Sequence, residues 1–167
     1  MLQKVKKYAT GKHISANHNY GYKDYSYHLN MVCDVAEQFI HLVDEDQREN
    51  VYCGCWVHDI IKNTRETYND VLRNTNKTIA NLAYALTNEK GKTRSERASC
   101  KYYKEMDDVP NAVFIKMCDR IANIIHSKKE GSKMFDKYKK EHFDFILKTY
   151  RPELIEMINY MQELVYE

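Results

Sequence analysis

Residues 110–125 read Pro110-Asn111-Ala112-Val113-Phe114-Ile115-Lys116-Met117-Cys118-Asp119-Arg120-Ile121-Ala122-Asn123-Ile124-Ile125. Val113, Phe114, Met117, Cys118, Ile121, Ile124 and Ile125 recur at three- and four-residue spacing, the period of a helix buried along much of its surface. Pro110 fits the first turn, where a missing N–H loses no helical partner. Asp119 breaks the pattern. With Ile115 four residues before it and Ala122 three after, its carboxylate lies beside the apolar face, where burial is costly unless the charge is paired or metal-bound.

The same period extends outward. Met31, Val32, Val35, Phe39 and Leu42 predict a helix from near His28, and Val51, Cys55, Trp56, His58 and Ile61 predict another, opened by Asp46 or Asn50 and ending around Asn63-Thr64. A short helical segment follows over Thr64 to Arg73. Thr75 then caps a helix carrying Ile79, Leu82, Ala83 and Leu86, and Thr87 to Lys92 form a loop. Thr93 or Ser95 opens a helix through Met106, and two more close the chain, from about Lys133 to Thr149 and from Pro152 to Tyr166. Residues 1–27, polar and Tyr-rich, read as a short helix and a loop. Strand alternation is nowhere convincing. Five Gly and two Pro in 167 residues are too few for the tight turns of a β-sandwich or barrel. The expectation is an all-α fold, one domain over residues 1–167, long enough to bury about 70% of its unfolded surface.

Composition narrows the partners. A net charge of +2 implies no field that would make a long nucleic acid or an anionic membrane the main partner. No stretch reaches the roughly 18 apolar residues that span a bilayer, and Met1 to Lys7 lead into no signal-peptide core, so a cytoplasmic location is expected. The odd count of five cysteines, scattered in apolar helical patterns, fits reduced thiols rather than a disulfide framework. Cys53-Gly54-Cys55 lacks the spacing and the second pair of a zinc site and reads as core.

Two other places break the pattern as Asp119 does. His58-Asp59 lies between Cys55-Trp56-Val57 and Ile60-Ile61, so at least one of the two turns inward, and His28 heads its helix one turn before Val32. Each has a plain explanation alone: a hydrogen-bonded histidine, or an ion pair involving Arg120. Together, two imidazoles and two carboxylates on three helices form a nitrogen-and-oxygen ligand set for a divalent cation such as Mn²⁺, Fe²⁺ or Zn²⁺.

This order, His28, His58-Asp59, Asp119, resembles the HD-domain metal-dependent phosphohydrolases, and within them the SpoT/RelA-type (p)ppGpp hydrolase domains and their small stand-alone relatives. The likeness covers roughly residues 8 to 127. It rests on Tyr25-Ser26-Tyr27-His28, on His58 to Thr64 with Thr67 and Val71 following, on Leu86-Thr87, and on Ile115 to Asn123, which is close to the family's lysine-x-x-Asp-(Lys/Arg)-x-x-Asn pattern. The helices of 128–167 lie beyond it. The resemblance implies an all-helical fold and a divalent metal, Mn most of all, with Fe, Zn or Mg as alternatives, held by His28, His58, Asp59 and Asp119. It also implies a metal-activated water that attacks phosphorus in a small nucleotide, a (p)ppGpp-like one first.

One departure stands out. SpoT-type hydrolases carry a Glu-Asp pair three residues beyond the HD dipeptide, where this chain has Lys62 and Asn63. His-Asp-x-x-Lys is seen in other branches, including cyclic-dinucleotide phosphodiesterases and dinucleoside-polyphosphate hydrolases, so an HD nucleotidase or dinucleotide phosphodiesterase is the alternative enzyme. A nucleotide-sensing module without catalysis is the alternative of another class. Lys62, four residues after His58, shares its helical face and could meet a phosphoryl oxygen. Asn63 can orient water but cannot act as a base, a role for which Glu66 is near in sequence.

Arg94, Arg97, Lys101 and Lys104 would make one basic stripe on a helix, with Lys90 and Lys92 in the loop before it. A polyanionic substrate or plain solvation explains the stripe equally well. By residue-type match to the family, Arg94, Arg97 and Lys23 are candidates for phosphate or nucleotide contact and Asn123 for the base or sugar. Leu154, Ile155, Ile158, Met161, Leu164 and Val165 line one side of the last helix, which packs either on its own domain or on a second copy in a homo-oligomer.

Overall fold

The computed structural model describes residues 1–87 and 91–167. In chain order the helices are α1 (Leu2–Ser15), α2 (Ser26–Phe39), α3 (Arg48–Val57), α4 (Ile60–Asn63), α5 (Tyr68–Asn74), α6 (Lys77–Ala85), α7 (Arg94–Arg97), α8 (Cys100–Glu105), α9 (Ala112–Lys129), α10 (Lys133–Thr149) and α11 (Ile155–Tyr166). Between α1 and α2 the loop closes on a two-residue antiparallel ladder, β1 (Asn19–Tyr20) against β2 (Lys23–Asp24), too short to show as alternation. Gly21, at φ 61°, makes its turn.

The most apolar helix is the centre, as its composition requires. Helix α9 packs against α2, α3, α10 and α11, and Ile115, Met117, Cys118 and Ile121 are fully buried. Helix α3 has cores on two sides. Val51 and Cys55 join the core around α9, while Cys53, Trp56 and Val57 join a second one with Val5 and Ala9 of α1 and Ile79, Ala80 and Ala83 of α6. Its close approach to α9 and α6 needs Gly54, because a Cβ there would lie 2.6 Å from Ile115 Cδ1 and 3.0 Å from Leu82 Cδ1. All five cysteines are free, and Cys53 and Cys55 are core residues. Among the described residues no helix is long and apolar enough to cross a membrane. Helix α11 buries Met157, Ile158, Met161 and Val165 against its own chain.

The sequence boundaries shift at four points. The helix predicted to run to Asn63-Thr64 breaks at His58-Asp59, where Asp59 adopts φ −110°, ψ 3°. The helix predicted through Met106 breaks at Ala98-Ser99, because Ser99 caps α8 by accepting from the Tyr102 N–H. The basic stripe is therefore divided between two short helices. Asn76, rather than Thr75, caps α6 by accepting from the Ile79 N–H. Pro110 lies before α9 rather than in its first turn, and Asn111, at φ 67°, makes the entry.

Candidate functional site

His28 stands in the first turn of α2, Asp119 in the middle of α9, and the packing of these two helices brings His28 Nε2 within 3.0 Å of Asp119 Oδ1. His58 ends α3 and offers its Nδ1 to the carbonyl of Cys55, 2.7 Å away. Since only an N–H can pair with a carbonyl, Nδ1 carries the proton and a neutral ring presents a lone pair at Nε2. That Nε2 is buried without a hydrogen-bond partner, 3.4 Å from Asp59 Oδ2 and 3.6 Å from Asp119 Oδ1. A lone pair facing two carboxylates calls for a cation between them, whether a proton or a metal.

The titration of these groups carries the same message. Burial depresses the His58 imidazole, but Asp59 and Asp119 outweigh it and push it up to about 10. Burial raises both carboxyls; His58 nonetheless holds Asp59 well below the carboxylate range, and Lys116, His28 and His58 do so for Asp119. Ligand atoms of His28, His58 and Asp119 all lie within 4.8 Å of one another. Two donors on a single ion at about 2.0–2.2 Å lie at most about 4.4 Å apart, and the 3.0 Å and 3.6 Å from Asp119 Oδ1 to the two imidazole nitrogens fall inside that reach. A hard-to-borderline divalent ion suits this nitrogen-and-oxygen set. Asp59 stands beside the trio through its contact with His58.

Around them the partners are specific. The Tyr25 hydroxyl donates to Asp59 Oδ2. Lys116 Nζ lies 3.3 Å from Asp119 Oδ2. Asn123, one turn after Asp119, donates from Nδ2 to Asp119 Oδ1 at 2.8 Å and accepts at Oδ1 from the Tyr20 hydroxyl at 2.7 Å. Tyr20 in turn stacks on the His28 ring at 4.7 Å. The tiny ladder thus has a use: it sets Tyr20 over the imidazole.

His28 and Asp119 of the trio line a polar cavity of about 290 Å³, while His58 lies buried behind them. Of the residues singled out in the sequence, His28, Asp59, Lys62, Arg94, Arg97, Asp119 and Asn123 line it. Asn63 and Lys23 do not. Lys23 places its ammonium 3.6 Å above the Tyr27 ring. Glu66 is engaged on α1, accepting from the Tyr8 hydroxyl at 2.5 Å and pairing with Lys12 at 2.9 Å. Lys101 and Lys104 do not line the cavity, and Lys90 falls outside the described residues. The sequence reading missed the parts played by Tyr20, Tyr25, Lys116, Arg120, Tyr138, Glu141 and Lys148, all of which line the cavity. For Tyr25 and Lys116 a signal existed, three residues before His28 and three before Asp119. For Glu141, on α10, there was none.

No family model matches the sequence, and no curated protein matches it. A solved structure does: a metazoan ortholog of SpoT, described as hydrolysing ppGpp and playing a role in starvation responses. It superimposes with a TM-score of 0.73 over 97% of this chain and 93% of that chain, at 17% sequence identity. The fold is the all-helical HD-domain fold. At that identity the likeness speaks for the arrangement of helices, and the HD dipeptide of this chain, His58-Asp59, sits at the break between α3 and α4.

Proposed function

We propose that this protein is a metal-dependent phosphohydrolase of the HD type acting on a small nucleotide, with a (p)ppGpp-like pyrophosphorylated nucleotide as the leading substrate. One observation carries the reading: His58 Nε2, the nitrogen not engaged by the Cys55 carbonyl, faces Asp59 and Asp119 beside His28 at the edge of a polar cavity rich in cations. His28, His58, Asp59 and Asp119 would hold a divalent ion, Mn²⁺ first. Such an ion lowers the pKa of water and neutralises charge on phosphoryl oxygens.

The chain's own residues do the rest. Tyr25 fixes Asp59, and Asn123, held by Tyr20, orients Asp119. Lys62, exposed on the cavity wall, steadies the phosphoryl group, a role worth a few kcal/mol of barrier, roughly. Arg94 and Arg97 supply positive charge farther along the wall. The name of the structural neighbour supports ppGpp as the first substrate to try. Lys62, in place of an acid, supports a second reading as a nucleotidase or dinucleotide phosphodiesterase.

The test is to purify the protein, measure bound metal, and incubate it with ppGpp, NADPH, nucleoside mono-, di- and triphosphates and cyclic dinucleotides, reading orthophosphate and pyrophosphate separately. Asp59→Asn is the control. Metal together with product from the wild type alone supports an enzyme, and the product identifies the bond cut. Tight nucleotide binding without turnover would point to a sensor instead.

A further inference from the structure

On the cavity wall away from His28 and His58, one carboxylate holds two guanidiniums from different helices. Glu141 of α10 accepts from Arg94 of α7 in a two-pronged contact, 2.6 Å from Nε and 3.2 Å from Nη2, and from Arg120 of α9 at 2.9 Å from Nη1. Aromatic faces steady the same cations: the Arg120 guanidinium lies 4.3 Å from the Phe145 ring centroid and 4.9 Å from that of Tyr138. Burial raises the Glu141 carboxyl, but the two arginines outweigh it and hold it below its ordinary value, so it is ionised at neutral pH.

A guanidinium offers its strongest anion contact through a two-pronged face, and Glu141 occupies that face of Arg94. The group stands at two positive charges against one negative. A singly or weakly charged phosphate arriving here has to compete with a carboxylate already in place at no cost in translational entropy. A more highly charged group gains more from the cations and competes better.

We propose that Glu141 is a specificity-determining residue: a built-in anion on the Arg94 and Arg120 guanidiniums that a pyrophosphoryl group displaces and a lone phosphate does not. This rests on reading the cavity as a phosphate-binding site, but not on any metal. Arg94 and Arg120 retain their charge whether or not an ion is held by the histidines.

Binding of inorganic orthophosphate and pyrophosphate is to be measured by calorimetry on the wild type, Glu141→Gln, Arg94→Gln and the double variant, each metal-stripped and Mn²⁺-loaded, with melting curves as the fold control. Removing one charge at close range is worth about tenfold at a part-exposed site. Removing the competing anion therefore raises both affinities about tenfold in Glu141→Gln, which brings orthophosphate, too weak to displace Glu141 in the wild type, into measurable binding. In the double variant the gain shrinks, because only Arg120 is then freed. A merely scaffolding Glu141 gives the opposite sign, weaker binding of both anions with a lower melting temperature, and that result overturns the inference. A gain undiminished by Arg94→Gln overturns it as well. Failure of the wild type to bind pyrophosphate in either form removes the phosphate reading of the cavity and this inference with it. Unchanged anion affinities in Glu141→Gln beside normal wild-type binding remove the inference alone.

Discussion

The imidazole of His58 is oriented by the carbonyl of Cys55, 2.7 Å from Nδ1, and this contact between residues three apart decides which nitrogen faces the carboxylates. A helix end normally leaves its last carbonyls without partners. Here one of them fixes a tautomer, so the termination of α3 prepares the site.

Metal binding should release a proton from this residue. In the metal-free protein His58 is pushed up to about 10 by Asp59 and Asp119, so at pH 7 its Nε2 is protonated, whereas a ligand nitrogen must be bare. Mn²⁺ titrations in buffers of different ionisation enthalpy should show close to one proton released at pH 7, and affinity that climbs with pH. A buffer-independent heat would contradict the assignment.

Stability without metal should follow the same charges. A folded value raised above the ordinary 6.5 gives His58 a contribution that is fully present below about pH 6.5 and lost as pH rises through about 10. Asp59 and Asp119 are depressed, so their contribution is present above the ordinary 3.8 and lost as pH falls below it. Melting of the chelator-treated protein should be highest between about pH 4.5 and 6.5 and decline at alkaline pH. Bound Mn²⁺ should flatten the alkaline side.

Tyr25→Phe removes the donor to Asp59 while keeping a ring packed at 4.5 Å from His13 and 4.0 Å from His18. Loss of such an outer partner typically costs 10- to 100-fold, roughly, in metal affinity or activity. The expected outcome is that scale of loss in Mn²⁺ affinity with a melting temperature near that of the wild type. An unaltered affinity would leave Asp59 outside the ligand set.

Lys62→Ala should leave stability within about 0.5 kcal/mol, since the side chain is exposed, and lower kcat on the best phosphorylated substrate by about a hundredfold. A change in KM alone would mark Lys62 as a general anion attractor.

Gly54→Ala tests the core beneath the site. Overpacking costs about 1–3 kcal/mol, against a helical gain of up to about 1 kcal/mol for Ala over Gly, so a net loss of about 1 kcal/mol is expected in denaturant melts. Adding Ile115→Val, which removes the Cδ1 found 2.6 Å from the added Cβ, should restore part of it. No restoration would mean that backbone strain, not this contact, sets the cost.

The helical class, the central helix over residues 112–129 and the inward turn at His58-Asp59 were legible in the chain, because apolar periodicity and the residues that violate it are local properties. Two helix breaks were not. Asp59 and Ser99 are unremarkable inside a helical pattern until burial on one side and capping on the other are known. Asn123, a substrate-contact candidate by residue type, lines the cavity, and only the fold shows that its amide also pairs with Asp119 and Tyr20.

By itself the sequence determined that this protein is built from helices whose apolar faces must meet, and that His28, His58, Asp59 and Asp119 are costly to bury without a purpose. Only the tertiary structure decided that His28, His58 and Asp119 converge, that Tyr20 and Tyr25 hold the cluster from the N-terminal segment, and that Glu141 occupies Arg94 and Arg120. The physical reason is range. Periodicity records which side of a helix is buried, whereas a hydrogen bond between residues dozens of positions apart depends on how whole helices pack, and no local pattern encodes that distance.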